Sequence, residues 1–168
     1  MKRNSLFFVL IVFQIVALLT IAGSNYATLQ YGERLLLKTE PIDPRDLFHG
    51  DYVILNYDIS SLSLSLWEGE DKFESREKVY VVLQKKDKYY DAIGIYPDKP
   101  DVDDGKVVLK GKAQYEHAGT VFIDYGIERY YVEEGTGKSI EKQRELTDVV
   151  VRVAPWGQVA IEALVINK

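Results

Sequence analysis

A group of charged side chains lies in the segment 41–57, which reads PIDPRDLFHGDYVILNY. The guanidinium group of Arg45 could bind one or two neighbouring carboxylates through paired hydrogen bonds and so fix a turn. The same guanidinium group, together with His49, could instead bind an anion. The segment therefore predicts either a structural ion pair or an anion site. Its charged residues near the turn are Asp43, Arg45, Asp46 and Asp51.

Several glutamates in the segment 128–141 offer the pair of carboxyl groups that glycoside hydrolysis requires. Alternation along a strand would place Glu128 and Glu134 on one face. Arg129 and Lys138 are available as ion-pair partners, so structural salt bridges are the alternative. We predict no catalytic residue from this pattern, and the pair Glu128–Arg129 is the first to test. The glutamates are Glu128, Glu133, Glu134 and Glu141.

Two other motifs resemble ligand sites but lack a required member. The acidic segment 98–104 has the charge that calcium prefers, yet its spacing differs from an EF-hand loop and Lys112 replaces the twelfth-position glutamate. Residues 135–139 read GTGKS and resemble the end of a phosphate-binding loop, but Val132 stands where that motif needs glycine. The sequence therefore predicts no metal ion and no cofactor.

Tyrosine is abundant, with 12 residues in the chain. The pairs Tyr89–Tyr90 and Tyr130–Tyr131 would place one ring on each face of a strand. An exposed row of rings could stack on sugars or dock against a protein. Aromatic rings also fill β-sheets, so the tyrosines predict either a binding surface or ordinary sheet packing.

Composition limits the classes of function. A length of 168 residues suits one domain plus an anchor. The net charge of −5 argues against a nucleic-acid partner, which favours a basic surface. The absence of cysteine excludes disulfides, thiol catalysis and thiolate metal sites within this chain.

An apolar run, residues 5–23, follows the basic head MKRN. As a helix, residues 6–23 would be about 27 Å long, close to the roughly 30 Å hydrocarbon core of a bilayer. A cleaved signal peptide is the alternative, but its apolar region is usually only about 7–15 residues long. We predict an uncleaved anchor with a cytoplasmic N-terminus, held by Lys2 and Arg3. Residues 1–34 then form the anchor with its helical extension, and residues 35–168 form an extracytoplasmic β domain.

The pattern beyond the anchor indicates a series of hairpins. Residues 26–38 predict a continued helix, with a break near Gly32 and a strand from Leu35 as the alternatives. Residues 52–59 predict a central strand covered on both faces, and the alternating segment 60–67 predicts a further strand. Residues 138–146 have helical composition. The remaining predicted strands are 78–84, 89–96, 106–115, 120–125 with a possible extension over 128–132, 148–154 and 158–166. The predicted fold is mostly β, an antiparallel barrel or sandwich with one short helix, preceded by an N-terminal transmembrane helix.

Residues 50–57 read GDYVILNY, and this stretch resembles, letter for letter, the pattern that names the GDYXXLXY family. The lead-in PIDPRDL (41–47) and the block YGIERYYVEEG (125–135) are similar to other stretches of that family, although Glu133 stands where proline is expected. The resemblance covers residues 35–166 and implies a bacterial, membrane-anchored protein, often encoded near multi-pass membrane proteins. It brings no catalytic residues with it. The signature residues are Asp43, Arg45, Asp46, Gly50, Asp51, Tyr52, Leu55 and Tyr57; those of the second block are Glu128, Arg129, Tyr130 and Glu134.

These observations predict a non-enzymatic binding module that acts with an integral membrane or envelope protein. A module that binds cell-wall glycan through exposed tyrosines is the first alternative, and a carboxylate-based hydrolase is the second. The leucines of residues 60–67 either fill the core or form a surface for the partner. The residues predicted for that surface are Leu64, Leu66 and Trp67.

Overall fold

The computed structural model describes residues 2–40, 52–71, 73–131 and 147–166. Its N-terminal element is helix α1 (Lys2–Tyr31). Within α1, the span Leu6–Tyr31 is long and apolar enough to cross a membrane, and no residue of its most apolar part is buried by the rest of the protein. These properties fit a membrane anchor and a signal sequence alike.

Twelve strands follow in the described part of the chain. They are β1 (Glu33–Leu37), β2 (Thr39–Glu40), β3 (Tyr52–Ile54), β4 (Asn56–Tyr57), β5 (Ser61–Ser63), β6 (Lys78–Lys86), β7 (Tyr89–Tyr96), β8 (Lys106–His117), β9 (Thr120–Asp124), β10 (Arg129–Tyr131), β11 (Thr147–Val153) and β12 (Val159–Ile166). Two short 3-10 helices, Asp58–Ser60 and Leu64–Leu66, interrupt them.

The strands pair antiparallel throughout. A five-stranded sheet has the order β5-β9-β8-β6-β7, a three-stranded sheet has the order β1-β11-β12, and β2-β4 and β3-β10 form two small ladders. Strand β7 also packs against β1, so that the sheets curve into a nearly closed, barrel-like arrangement. The predicted fold class, a mostly β antiparallel fold after an apolar N-terminal helix, is confirmed.

The core lies inside this curved arrangement because successive side chains of a strand point to opposite faces. In β6, Val79, Val81 and Leu83 are fully buried in the main core. Tyr80 and Val82, from the same strand, belong to a smaller apolar cluster on the outer face. The main core also contains side chains from β1, β8, β9 and β11, including Leu35, Leu37, Leu109, Val121, Val149 and Val151.

Helix α1 ends within residues 26–38, the segment for which the sequence predicted either helix or strand. It continues to Tyr31, and Leu35 to Leu37 lie in strand β1, so a helix continued to residue 38 is wrong, whereas the break near Gly32 and the strand at Leu35 are confirmed. Gly32 permits this change because a Cβ atom there would lie 2.3 Å from the carbonyl oxygen of Thr28. A larger residue at position 32 would therefore collide with the last turn of the helix.

The prediction of one central strand over residues 52–59 is wrong. The segment is divided into β3, β4 and a 3-10 helix, and in the described chain β3 pairs with β10 whereas β4 pairs with β2. Leu55 and Tyr57 are buried and Ile54 is half-buried, but Asn56 is exposed, so the segment is not covered on both faces throughout. The exchange of partners occurs at Leu55, whose N–H group donates to the carbonyl oxygen of Glu128 at 2.8 Å.

Two further strand predictions are also wrong in their extent. The strand in residues 60–67 ends at Ser63, whose hydroxyl oxygen accepts a hydrogen bond from the N–H of Ser65 and thereby favours the 3-10 turn over an extended chain. Strand β9 ends at Asp124, and residues 129–131 form β10 in another ladder instead of extending β9. The predicted helix over 138–146 lies outside the described residues. The other predicted hairpins are confirmed, with ends shifted by a few residues.

Candidate functional site

The two sequence blocks singled out above meet in space. Strands β3 and β10 pair in register, with Tyr52 opposite Tyr131, Val53 opposite Tyr130, and Ile54 opposite Arg129. The signature segment is therefore bonded, through its backbone, to the second block. We call the described contact region between residues 52–60 and 124–131 the junction.

Two buried tyrosines hold the junction from opposite sides. The hydroxyl group of Tyr57 donates to the carbonyl oxygen of Ile127 at 2.8 Å, and the hydroxyl group of Tyr125 donates to the carbonyl oxygen of Ile59 at 2.7 Å. Burial, with a smaller contribution from the carboxylate of Glu128, raises the pKa of both phenols above the ordinary value. Both side chains are therefore neutral hydrogen-bond donors at any physiological pH.

Beside these tyrosines lies a hydrogen-bonded pair of carboxyl groups, Asp124 and Glu128. Glu128 Oε1 accepts a hydrogen bond from the N–H of Tyr125 at 2.5 Å, and Asp124 Oδ1 accepts one from the N–H of Gly126 at 2.8 Å. Burial, reinforced by the hydrogen bond to Asp124, raises the pKa of Glu128 to about 7. The hydrogen bond from Glu128 lowers the pKa of Asp124. Below about pH 7, Glu128 is therefore mostly protonated and can donate to the Asp124 carboxylate.

The geometry of this pair, which is not the Glu128–Glu134 pair suggested by the sequence, does not match that of a glycoside hydrolase. Catalytic carboxyl groups in such enzymes stand about 5–5.5 Å apart in retaining and about 6.5–9.5 Å apart in inverting mechanisms, with the scissile bond between them. Asp124 and Glu128 interact through a hydrogen bond, which is closer than either of these separations. Glu133, Glu134 and Glu141 lie outside the described residues.

The remaining signature residues divide into two groups. Leu55 and Tyr57 are buried in the core, and Tyr52 lies in β3. In the second block Tyr130 packs against the core while Arg129 is exposed. Asp43, Arg45, Asp46, Gly50 and Asp51 lie outside the described residues, so the ion pair or anion site expected there stays a prediction.

The residues of the predicted partner surface directly follow β5, an edge strand of the five-stranded sheet. Leu64, Leu66 and Trp67 are half-buried and pack against the core. The indole N–H of Trp67 donates to the carbonyl oxygen of Asp71 at 2.9 Å, and its ring meets Phe73 edge to face at 5.4 Å. These side chains therefore contribute to packing, and their role in binding a partner stays a prediction.

Sequence reasoning did not single out Asp124 or Tyr125 as site residues. Asp124 precedes glycine by two positions, and such an aspartate commonly accepts a hydrogen bond from the backbone two residues later. This spacing predicts the hydrogen bond from the N–H of Gly126 to Asp124, but it does not predict the interaction of Asp124 with Glu128. In the described part of the chain, no cluster of three or more histidine or acidic side chains is placed to hold a metal ion.

Comparison with known proteins identifies one family. A family model described as GDYXXLXY protein matches residues 14–164. This range includes most of α1 and all of the sheets except the end of β12. No curated protein and no solved structure matches the sequence.

Proposed function

We propose that this protein, which belongs to the GDYXXLXY family, is a single-pass membrane-anchored module that binds a protein partner in the same membrane or envelope. Its β domain lies outside the cytoplasm, and it acts by binding, without chemistry of its own. The observation that supports this proposal most is the way in which α1 joins the sheet.

The joint contains no flexible linker. Only Gly32 separates α1 from β1. The last turns of α1 pack against β11 and β12, and the side chain of Thr28 is completely buried there. The guanidinium group of Arg152 in β11 donates to the carbonyl oxygen of Gly32 at 3.1 Å. The orientation of the β domain is therefore fixed relative to the axis of the helix.

A fixed orientation matters if the partner occupies the same membrane. A helix whose apolar side chains, from Leu6 to Ile21, are exposed must be covered by lipid or by other transmembrane helices. A tethered domain meets a partner in that membrane at a high effective concentration, so a weak interface is sufficient. A rigid joint further favours binding of such a partner because it keeps one face of the domain at a constant height above the bilayer.

Glycan binding is the second candidate, and exposed aromatic rings favour it. Tyr115 is 52% exposed, and its ring stacks on that of Phe122 with centroids 4.5 Å apart. Tyr131 is 72% exposed. Flat, exposed rings of this kind suit stacking on sugars. The rings are candidates for the contact with wall glycan if no protein partner exists.

We expect alkaline phosphatase fused after Lys168 to be active in cells, because Lys2 and Arg3 retain the N-terminus in the cytoplasm. A fusion after Asn4, which ends before the apolar span, is the matched control and should be inactive. A fluorescent cytoplasmic reporter should give the opposite pattern at the two sites. Fluorescence at Lys168 without phosphatase activity would contradict the proposed orientation.

Photo-crosslinking groups introduced separately at Leu64 and Trp67 should capture the same integral membrane protein in intact cells. Lys85, exposed on the β6–β7 hairpin, is the control position and should not capture it. Crosslinkers at Tyr115 and Tyr131 test the second candidate in parallel. Capture of wall glycan at those tyrosines, with only lipid captured at Leu64 and Trp67, would reject the protein partner in favour of glycan.

A further inference from the structure

A cleft of about 600 Å³ opens on the outer face of the five-stranded sheet, beside the turn that joins β11 to β12. Four basic side chains line it, from the segment before β6 and from β6 and β8. The indole ring of Trp156 and the carboxyl group of Asp124 also line it. The basic residues are Arg76, Lys78, Lys110 and Lys112.

The register of the sheet brings these charges together. Lys78 of β6 lies directly opposite Lys112 of β8, and Lys112 lies opposite Asp124 of β9. Lys110 is two residues from Lys112 and so points to the same face. Like charges placed directly opposite each other destabilise a sheet. Lys78 and Lys112 therefore repel each other across one ladder, while Lys112 is attracted to Asp124 across the other.

None of these four side chains forms a salt bridge within the described chain, although Lys78 lies over the ring of Tyr80 at 5.0 Å and Lys112 contributes to lowering the pKa of Asp124. The salt bridges there use other basic residues, namely Arg34, Lys38, Lys86, Lys88, Lys106 and Arg152. Asp124, which lines the cleft, already accepts hydrogen bonds from Glu128, from the N–H of Gly126 and from Gln114, and Asp98 interacts electrostatically with Lys78. In a protein of net charge −5, this cleft is thus a local concentration of positive charge.

The backbone holds the walls of the cleft in place. The N–H of Lys110 donates to the carbonyl oxygen of Gly157 at 3.0 Å, which attaches the β11–β12 turn to β8. Gly157 has φ of +87°, and a Cβ atom there would lie 3.3 Å from that of Lys110, so both the backbone conformation and the close approach favour glycine. Arg76 has φ of +70°, which is costly for a residue other than glycine. Its N–H bonds to the carbonyl oxygen of Ala113 at 2.7 Å and keeps it there.

Trp156 provides an apolar wall. Its indole N–H donates to Gln158 Oε1 at 3.0 Å, which orients the ring, and the side chain is 49% exposed. One face of a fixed, half-exposed indole suits the carbon skeleton of a glycerol or a sugar. The cleft therefore combines a cationic part with a flat apolar part.

We propose that this cleft binds a phosphate ester, with the phosphate oxygens among the four cations and the esterified alcohol against Trp156. The ammonium group of lysine and the guanidinium group of arginine commonly bind phosphate in proteins. The site is additional to the proposed partner surface and does not depend on it. The ester can belong to a phospholipid headgroup or to a soluble molecule. A second cleft, lined by Tyr31 at the end of α1 and by Pro155 of the same turn, places this turn next to the membrane anchor.

The test uses the full chain in an uncharged maltoside detergent, which contains no phosphate. Inorganic phosphate and glycerol 3-phosphate are titrated while tryptophan fluorescence is recorded. The variant Trp156→Phe shows how much of the fluorescence change comes from Trp156. We expect a saturable change that weakens as salt is added, because salt screens exposed charges. Binding of glycerol 3-phosphate should be tighter than that of phosphate alone.

A double variant, Lys110→Gln with Lys112→Gln, should weaken both titrations about tenfold or more, since charged contacts of this kind contribute at least about that factor. Lys85→Gln with Lys86→Gln removes the same charge at the other end of β6 and should bind like the parent. All four lysines are exposed, and melting curves verify that the variants fold. Equal weakening in both double variants would mean that net charge alone attracts phosphate, and the proposal would be rejected.

Nanodiscs of phosphatidylglycerol identify the source of the ester. If a lipid headgroup fills the cleft, Trp156 emission is already shifted there and added phosphate changes it no further. If the ligand is soluble, the titration is the same as in maltoside. Either result supports phosphate recognition, whereas no Trp156 response in detergent or in nanodiscs overturns it.

Discussion

Glu128→Gln is expected to remove most of the pH dependence of stability between about pH 5 and pH 7. The folded-state pKa of Glu128 is about 7, above the ordinary 4.5, because the side chain is buried and hydrogen-bonded to Asp124. Below pH 4.5 both the folded and the unfolded chain carry the proton, so the stabilisation is fully present there. As the pH rises toward 7, the unfolded chain releases the proton first, and the free energy of unfolding falls.

The loss should be about 1–2 kcal/mol, less than the shift alone would give, because the carboxyl group remains partly open to water. Asp124, Lys112 and Arg129 are the other charged groups in this network. The pKa of Asp124 is lowered from 3.8, so its own titration lies below the window. A glutamine at position 128 can donate to Asp124 and accept from the N–H of Tyr125, as protonated Glu128 does. We therefore expect Glu128→Gln to match the parent at pH 5 and to be more stable at pH 8.

The measurement is thermal unfolding of the full chain, followed by circular dichroism across this pH range. Glu77→Gln, at an exposed position before β6, makes the same chemical change away from the carboxyl pair and should leave the parent's profile intact. A Glu128→Gln profile that falls with pH as the parent's does would show that another group controls it. A variant less stable than the parent at pH 8 would contradict the raised pKa of Glu128 itself.

Alternation of side chains was enough to predict most of the hairpins. The strands from Lys78 to Asp124 and the last hairpin, β11–β12, are each long enough for alternation to identify them, and each is closed by a short turn. Alternation failed in the short segments. Residues 52–59 change partner at Leu55, and that change depends on the distant carbonyl group of Glu128. Nothing within the segment itself encodes it.

The site was harder to predict for the same reason. The sequence suggested Arg129 and Lys138 as partners of Glu128 and gave no sign of Asp124, to which the turn at Tyr125 and Gly126 brings the carboxyl group. The cationic cleft arises from the register of β6 with β8, which places Lys78 opposite Lys112. Charges that are scattered along the sequence gave no sign of it. Local patterns predict elements, whereas sites depend on how distant strands align.

Tyr57→Ala is expected to cause the largest loss of stability among the substitutions considered, about 3–5 kcal/mol, because it opens a cavity at a fully buried aromatic side chain. Tyr57→Phe isolates the hydroxyl group. It removes the donor to the carbonyl oxygen of Ile127, which is left without that hydrogen bond, and should cost about 1–3 kcal/mol. Tyr125→Phe makes the equivalent change at Ile59 and should cost a similar amount, about 1–3 kcal/mol.

The two hydroxyl groups hold the same junction from opposite sides, so their effects should not add. We expect the double variant Tyr57→Phe with Tyr125→Phe to depart from the sum of the single variants by about 0.5–3 kcal/mol, the range found for coupled neighbours. Tyr115→Phe, at an exposed position, is the control and should change the free energy of unfolding by no more than about 0.5 kcal/mol. Strict additivity would mean that each tyrosine stabilises only its own segment. Variants that melt like the parent but no longer capture the membrane partner would instead make the junction a binding site, since its tyrosines would then act on the partner and not on the fold.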